Sequence, residues 1–550
     1  MAASTYADAL SLVQERRIAA EADLGTLLQT PPPEVDVEVF RQLRFMHEAG
    51  GWVLLESALA DLPADLRWLF ESGAVTLPQL VQLHRTLGIT SAADLAGELR
   101  RDAIRRVPGF DPGIEAAVAH ALKSLRGPIP RIPLGRAKSL ADPFLALLRG
   151  HPGILWAEPV GSLRRGLDSV GDIEIVAPAS DPLVAFDAAL AMPDITRCLH
   201  RGPRRLYLLT DRVQIGIRSP KPDVAGGTLL HLTGSAAHID ALGTMAAARG
   251  WKLEPEALIK EPGAAPVAET EEEIYAALGL PWIPPEIRNG DGEIAAAASN
   301  ALPALVSRAD IKGDLHMHTH FSDGRDTVEE MVAGCVALGY QYLAITDHSP
   351  HSASSRNLSN ESVKRQADEI AGLRAKYPGI TILHGCEVDI LLDGRLDFPD
   401  RILQEFDIVL ASLHESGGQP PDQLMRRYIG AMRHPLVTII THPTNRLLPY
   451  RRGYELDYDR LFATAVETQT VIEIDGAPSH LDLDGTLARL AAKAGAMLVI
   501  DSDCHRADLL ERQMELGLLM ARRGWVEPRH VLNTRPIGEV RHVIAAKRSL

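Results

Sequence analysis

Apolar residues recur with different rhythms on either side of residue 310. Beyond it, short apolar runs alternate with stretches of helical spacing, and seven runs stand out, at 312–315, 342–345, 380–383, 408–411, 437–440, 470–474 and 497–500. Runs of this length separated by helical segments predict βα units and a parallel sheet. Earlier in the chain, residues 150–220 alternate apolar and polar positions, as in Gly171-Asp172-Ile173-Glu174-Ile175-Val176, Leu206-Tyr207-Leu208-Leu209 and Arg212-Val213-Gln214-Ile215-Gly216-Ile217-Arg218, which predicts antiparallel strands. Residues 234–278 read as helices, and 1–65 as a few helices interrupted by Pro31-Pro32-Pro33. Between residues 70 and 125, two apolar-Gly turns, Ser72-Gly73-Ala74-Val75-Thr76-Leu77 and Val107-Pro108-Gly109-Phe110-Asp111-Pro112-Gly113, each lead into a helix. Such turns present backbone N–H groups to an anion and are candidate phosphate contacts, Gly109 among them. A Pro-rich stretch at 281–285 and an Ala-rich one at 295–304 mark a boundary and a linker.

At 550 residues the chain is expected to fold as three or four domains. Its 46% hydrophobic and 23% charged residues argue against a disordered, collagen-like or disulfide-stapled protein. The four cysteines, Cys198, Cys335, Cys386 and Cys504, form no CxxC pair, so no thiolate zinc site is expected. No apolar run reaches membrane-spanning length and the first thirty residues lack a charged-then-apolar leader, so the expectation is a cytoplasmic protein with no membrane partner. A net charge of −15 excludes a protein that coats DNA through its overall field, leaving nucleic-acid contacts to local Arg clusters. Of 20 histidines, 13 follow Asp310, which directs the search for chemistry to the C-terminal half.

Directly after the apolar runs come His316-x-His318, Asp347-His348, Glu387, His414, His442, Asp475 and Asp503-x-His505. In a barrel of parallel strands, side chains at the C-terminal strand ends converge on one face. Imidazole and carboxylate without thiolate suit Zn, Mn or Fe, and the candidates outnumber what one tetrahedral ion uses, so more than one metal is implied. His320, His351, His384, His434 and His480 do not fit this rule and are expected to be structural or to stand behind the ligands. Arg446, just beyond His442-Pro443-Thr444-Asn445, is placed to grip a phosphate oxygen, with help from Arg451 and Arg452.

The segment Gly313-Asp314-Leu315-His316-Met317-His318-Thr319-His320-Phe321-Ser322-Asp323-Gly324, with Ile345-Thr346-Asp347-His348, Gly385-Cys386-Glu387, Ser412-Leu413-His414, Thr441-His442-Pro443-Thr444 and Asp501-Ser502-Asp503-Cys504-His505, resembles the PHP (polymerase and histidinol phosphatase) family. That resemblance implies a distorted (β/α)7 barrel holding three divalent metals, Mn, Zn or Fe. The first would be bound by His316, His318, Glu387 and Asp503, the second by Glu387, His414 and His442, the third by Asp323, His348 and His505. Such a cluster hydrolyses phosphoesters without a protein nucleophile.

Val160-Gly161-Ser162-Leu163-Arg164-Arg165-Gly166, followed by Gly171 to Val176 and by Leu232-Thr233-Gly234-Ser235-Ala236-Ala237-His238, resembles the palm and thumb of family X DNA polymerases. With the two helix-hairpin-helix turns and the PHP segment, the order is similar to that of the bacterial PolX family from about residue 70 onward. The resemblance implies a multidomain α/β chain with a reduced helical domain at 1–65, helix-hairpin-helix fingers at 66–128, a palm at 129–220, a thumb at 221–294, a linker at 295–310 and the PHP barrel at 311–550. It also implies nucleotide or DNA contacts from Ser162, Arg165, Thr233, Gly234 and Gly109, and Mg or Mn at the palm if that site is active. A palm of this kind needs two carboxylates at i, i+2 and a third on a neighbouring strand. Asp172 and Glu174 fill the pair, with Glu where the family has Asp, and Gly216 stands at the third position. His231-Leu232 and Ile239 replace expected nucleotide-pocket residues, so polymerisation is expected to be weak or lost. The first lysine is Lys123, which excludes a Schiff-base lyase in the N-terminal domain.

The leading reading is a PolX-type repair enzyme whose PHP barrel trims 3′ ends or cuts abasic sites, acting on gapped, 3′-recessed or abasic DNA. A second keeps an active DNA polymerase. A third makes the barrel a phosphomonoesterase for a small metabolite and the front half a noncatalytic DNA-binding scaffold. Arg164, Arg165, Arg201, Arg204 and Arg205 form a candidate basic patch favouring the first.

Overall fold

The computed structural model describes residues 69, 75–89, 95, 98–99, 103–124, 131–171, 173–193, 195–210, 213–260, 265–352 and 356–550. The expected helices at 1–65, the Ser72-Gly73-Ala74 turn, Asp172 and Arg212 lie outside them. Two compact units are formed, one of Met1–Arg131 with Leu190–Gly216, the other of Ile132–Ala189 with Ile217–Leu550.

In the first unit, helix Leu77–Leu87 opens on a capping box between Thr76 and Gln79 and ends on left-handed Gly88. Gly109 also takes positive φ (+82°), so its turn needs glycine, and it leads into helix Pro112–Ser124. Leu80, Leu83, Ile89, Ile104, Val107, Phe110 and Val118 bury a small core beneath these helices. Strands Ile195–Arg201 and Arg205–Thr210 form an antiparallel hairpin, and Arg197, His200, Arg201 and Arg205 on it are exposed.

The second unit begins with helix Leu134–Gly150 and the antiparallel pair Glu158–Pro159 and Ile173–Val176. Helices Ala225–Thr233 and Ala236–Ala247 follow, and around them Glu271 gathers the charges. Its carboxylate accepts two bonds from Arg288 (2.6 and 3.1 Å), two from Arg164 (2.7 and 3.0 Å) and one from Trp282 Nε1 (3.1 Å). Burial alone would raise this carboxyl, but Arg288 and Arg164 hold it at about 2. Two forks on one carboxylate satisfy charges that would otherwise be buried unpaired. The Ala-rich stretch makes helix Glu293–Ala298, and Val306 beyond it is laid on the barrel by Val306 N donating to Val526 O (2.9 Å).

Seven parallel strands, each hydrogen-bonded to its chain neighbour, make the C-terminal half: β1 Gly313–Asp314, β2 Tyr342–Ile345, β3 Thr381–Asp389, β4 Ile408–Ser412, β5 Ile439–Ile440, β6 Val471–Asp475 and β7 Leu498–Asp501. All seven expected runs are strands, and the (β/α)7 expectation stands. Every strand is buried on both faces, as parallel sheets covered by helices require. The seam between β1 and β7 lacks a regular ladder. Asn533 Nδ2 donates there to Gly313 O (2.9 Å) and Ile500 O (2.5 Å), Leu315 N donates to Asp501 Oδ1 (2.8 Å), and Ser502 N to Asp314 Oδ1 (3.2 Å). Buried side chains thus replace main-chain partners where the barrel is distorted.

Strand β3 is longer than expected. Thr381–His384 pairs with β2 and Gly385–Asp389 with β4, and a Cβ on Gly385 would lie 2.9 Å from both Ile408 Cγ2 and Thr346 Cγ2. The change of partner at this glycine carries Glu387 and Asp389 within the strand, past the end of the apolar run. Replacing Glu271 with Ala should destabilise the second unit by about 3–5 kcal/mol, read from denaturant unfolding. Since the carboxyl moves from 4.5 to about 2 on folding, its contribution is full above pH 4.5 and lost as the pH falls through about 2.

Candidate metal centre

Each barrel strand delivers one or more polar side chains at its C-terminal end. His316 and His318 follow β1, Asp347 and His348 follow β2, Glu387 lies on β3, His414 follows β4, His442 follows β5, and Asp503 and His505 follow β7. His442 and Asp503 hold positive φ (25° and 48°), so their side chains are turned inward by backbone that non-glycine residues rarely adopt.

Three groups of ligand atoms lie within 4.8 Å: His316, His318 and Asp503; His348, Glu387 and His414; and His318, Asp323, His348 and His505. In the first, His316 Nε2 lies 3.1 Å from His318 Nε2 and 3.5 Å from Asp503 Oδ1, and His318 Nε2 lies 3.0 Å from Asp503 Oδ1. Glu387 Oε2 stands 3.5 and 3.6 Å from the same two nitrogens. In the second, Glu387 Oε1 is 3.4 Å from His414 Nε2 and 2.9 Å from His442 Nε2, while Oε2 is 2.9 Å from His348 Nδ1. Asp323 Oδ1 closes the third, 3.5 Å from His348 Nε2 and 3.1 Å from His505 Nε2. The nine expected ligands are thus brought together. His348 faces two groups, through opposite ring nitrogens, where one had been assigned to it.

The donor set fits divalent metal. Buried His348 Nδ1 and Glu387 Oε2, 2.9 Å apart, make no hydrogen bond of good geometry, and buried His318 Nδ1 and His442 Nδ1 have no hydrogen-bond partner among the described residues. Native interiors rarely leave such atoms unpaired, and unpaired nitrogen and oxygen donors are what a cation would use. Burial and the neighbouring rings of His348 and His505, stacked at 4.3 and 4.4 Å, hold His318 at about 4, which keeps it a neutral imidazole with a free lone pair. Burial opposes ionisation of Glu387 and Asp503, yet the surrounding imidazoles hold both well below the usual carboxylate range.

Behind the candidate ligands stand groups that the strand-end rule did not assign. Glu473 Oε1 accepts from His316 Nδ1 (2.6 Å), which turns Nε2 toward the first group, and Glu473 Oε2 accepts from His442 N (2.7 Å). Asp389 Oδ1 does the same for His414 Nδ1 (2.8 Å). Asp347 is not in a ligand group; it accepts from Thr319 N (2.8 Å), Thr319 Oγ1 (2.7 Å), Ser322 N (3.1 Å) and Gln366 Nε2 (2.6 Å), locking the loop after His318. Asp475 accepts from Ala477 N (2.6 Å) and joins no group. The signal available for Glu473 was a carboxylate inside an apolar run, a position that costs several kcal/mol unless paired. Cys504 donates to Arg506 O (3.0 Å) and burial pushes its thiol up, so it behaves as a packing residue.

Arg446 takes a different position from the expected one. Its Nε donates to His480 O (2.8 Å), Nη2 to Leu481 O and Nη1 to Asp168 Oδ2 (2.9 Å), which commits the guanidinium to protein partners. Arg451 donates to Asn445 O (2.9 Å) and Oδ1 (2.8 Å), while Arg452 is exposed and has no partner among the described residues.

In the front half, Ser162 Oγ accepts from Gly171 N (3.4 Å), Arg165 Nη1 donates to Thr233 O, and a Cβ on Gly234 would lie 3.1 Å from that nitrogen. Thr233 is fully buried, its hydroxyl taking Arg164 Nη1 (2.7 Å), so it does not face nucleic acid, and Arg164 belongs to the Glu271 cluster instead of a surface patch. Glu174 Oε1 is held by Arg218 Nη2 (3.1 Å) and Nε (3.3 Å).

Comparison with known proteins gives the family. The model for the DNA polymerase beta thumb matches residues 228–289 and that for the PHP domain residues 314–462. Over 490 residues the chain is 34% identical to the DNA polymerase/3′-5′ exonuclease PolX of Bacillus subtilis (strain 168), covering 88% of this chain and 85% of that protein. This chain belongs to the PolX family. A probable phosphatase of Thermoanaerobacter sp. (strain X514) is 29% identical over 247 residues, 43% of this PolX chain and 95% of the relative. A crystal structure of histidinol phosphate phosphatase from Lactococcus lactis subsp. lactis Il1403, complexed with Zn, L-histidinol and phosphate, aligns at 18% identity and TM-score 0.31, over 39% of this chain and 94% of that one. No described helix is long and apolar enough to cross a membrane.

If Glu473 fixes the His316 tautomer, Glu473→Gln should weaken Mn²⁺ binding about 10- to 100-fold, measured by titration calorimetry on the full chain, with the melting temperature followed alongside.

Proposed function

We propose that this PolX chain is a metal-dependent phosphodiesterase whose PHP barrel removes nucleotides from DNA 3′ ends or cuts at abasic sites, with a front half that binds DNA and polymerises weakly or not at all. The reading rests above all on nine imidazoles and carboxylates, six of them buried, converging at one barrel end, with unpartnered donor atoms among them. Three divalent ions, Mn, Zn or Fe, would be held by His316, His318, Glu387 and Asp503, by Glu387, His414 and His442, and by Asp323, His348 and His505. Bound there, such ions supply a hydroxide near neutral pH and neutralise phosphoryl oxygens during in-line displacement.

The protein's own part is positional. Glu473 and Asp389 accept hydrogen bonds from Nδ1 of His316 and His414, which would leave the opposite nitrogens to meet bound metals. Glu387 stays ionised between the groups and offers both oxygens. Arg452 is the guanidinium of the His442 loop left to meet a flanking phosphate. Gapped, 3′-recessed and abasic DNA are the expected substrates.

The polymerase reading is disfavoured by Glu174, whose carboxylate is already paired with Arg218, and by Gly216, which offers no carboxylate. A Mg²⁺ site would have to displace that guanidinium and do without a third acid. The shorter relatives named as phosphatases favour a second reading, a phosphomonoesterase for a small metabolite.

One comparison separates these. The full chain with Mn²⁺ is offered single-stranded, 3′-recessed and abasic oligonucleotides and, in parallel, histidinol phosphate, with His316→Ala and Asp172→Ala as variants. The expected result is DNA shortening that chelation and His316→Ala abolish and Asp172→Ala leaves intact. Preferential hydrolysis of histidinol phosphate would transfer the proposal to the monoesterase reading. Robust nucleotide incorporation, removed by Asp172→Ala, would refute the loss of polymerisation.

A further inference from the structure

The loop that brings in His442 is held partly from outside the barrel. Arg446, four residues beyond this ligand, is 8% exposed. Its guanidinium spans the carbonyls of His480 and Leu481, with Asp484 Oδ2 3.7 Å from Nη1. The His480 ring stacks on His442 with centroids 5.4 Å apart and planes at 28°, and Thr444 between ligand and arginine donates N and Oγ1 to Asp482 Oδ2 (2.9 and 2.8 Å). Arg446 therefore ties residues 442–446 to 480–482, the two segments that fix the His442 ring.

One charge-compensating partner in this clamp comes from the front half. Asp168 Oδ2 accepts from Arg446 Nη1 at 2.9 Å, and the turn that presents it is itself pinned. Leu134 N donates to Asp168 O (2.9 Å), Arg523 Nη1 to Arg165 O (3.0 Å), and a Cβ on Gly166 would sit 3.1 Å from Leu519. A nearly buried guanidinium that loses its carboxylate keeps its charge and relaxes toward water or another acid. Here that relaxation would pull on both clamped segments.

We infer that Asp168, supplied by the front half, is a positioning residue for the barrel's metal centre, acting through Arg446 on the His442 loop. This deepens the hydrolase proposal and uses it for the kinetic readout only. Asp291 provides the comparison, because its pair with Arg489 (2.8 Å) also joins the front half to the barrel, with no bond to 442–446 or 480–482.

The experiment compares full-length wild type with Asp168→Ala, Asp168→Asn, Asp168→Glu and Asp291→Ala. Hydrogen exchange of peptides spanning 441–454 is measured in metal-free protein, and kcat and KM are measured for Mn²⁺-dependent shortening of a single-stranded oligonucleotide. Asp168→Ala and Asp168→Asn should speed exchange over 441–454 and lower kcat, each about tenfold, with KM within about twofold, since small displacements of positioned groups act on turnover. Asp168→Glu should recover part of both losses and Asp291→Ala should match wild type. Unchanged exchange in Asp168→Asn, or an equal effect of Asp291→Ala, overturns the inference and leaves Asp168 a docking residue. If wild type does not act on DNA, the hydrolase proposal fails, while the exchange comparison still decides the role of Asp168.

Discussion

Glu387 is a carboxylate removed from water and ringed by His316, His318, His348, His414 and His442, and the C-terminal half is organised around satisfying it. Desolvating an ion costs several kcal/mol unless opposite charge and directed donors replace the lost water. His316, His348 and His414, pushed up by the neighbouring acids against the effect of burial, supply the positive side, and each needs its own fixed orientation to do so. Glu473 therefore lies behind His316 and beneath the His442 backbone, Asp389 behind His414, and Asp347 across the loop that follows His318. The barrel concentrates acids because it concentrates rings that must be held still.

The same logic closes the barrel. At the seam between β1 and β7, Asp314, Asp501 and Asn533 accept or donate where a continuous ladder would have run. This lets the strands part slightly while side chains take up main-chain groups at the seam, and it places His316 and Asp503 on either side of the gap. Distortion of the barrel and convergence of the candidate ligands are thus one feature seen at two ends.

In the front half, cations are spent inward. Arg164 and Arg288 neutralise Glu271, Arg165 caps Thr233 O, and Arg218 covers Glu174. A front half that pairs Glu174 with an arginine is built for rigidity, in keeping with a part that lends a carboxylate to the barrel. Exposed arginines remain on the hairpin of Ile195–Arg201 and Arg205–Thr210, where no burial cost restrains them.

The seven strands and the convergence of the nine expected residues were legible because they depend on short-range rules: apolar runs become buried parallel strands, and residues just beyond them share a face. Local pattern was less informative where a strand changes partner, as at Gly385, because the extra length of β3 comes from pairing with β4 and not from its own composition. Glu473 was hidden inside an apolar run, and Asp389 lay beyond one, since a supporting acid looks like any other acid until its histidine is known. Arg446 was expected at a phosphate because its neighbours in sequence are ligands. Its actual partner, Asp168, lies 278 residues earlier, and only packing could bring that charge within 2.9 Å. Periodicity and residue chemistry travel with the chain, whereas the choice of partner for a buried charge depends on which distant segments the fold sets side by side.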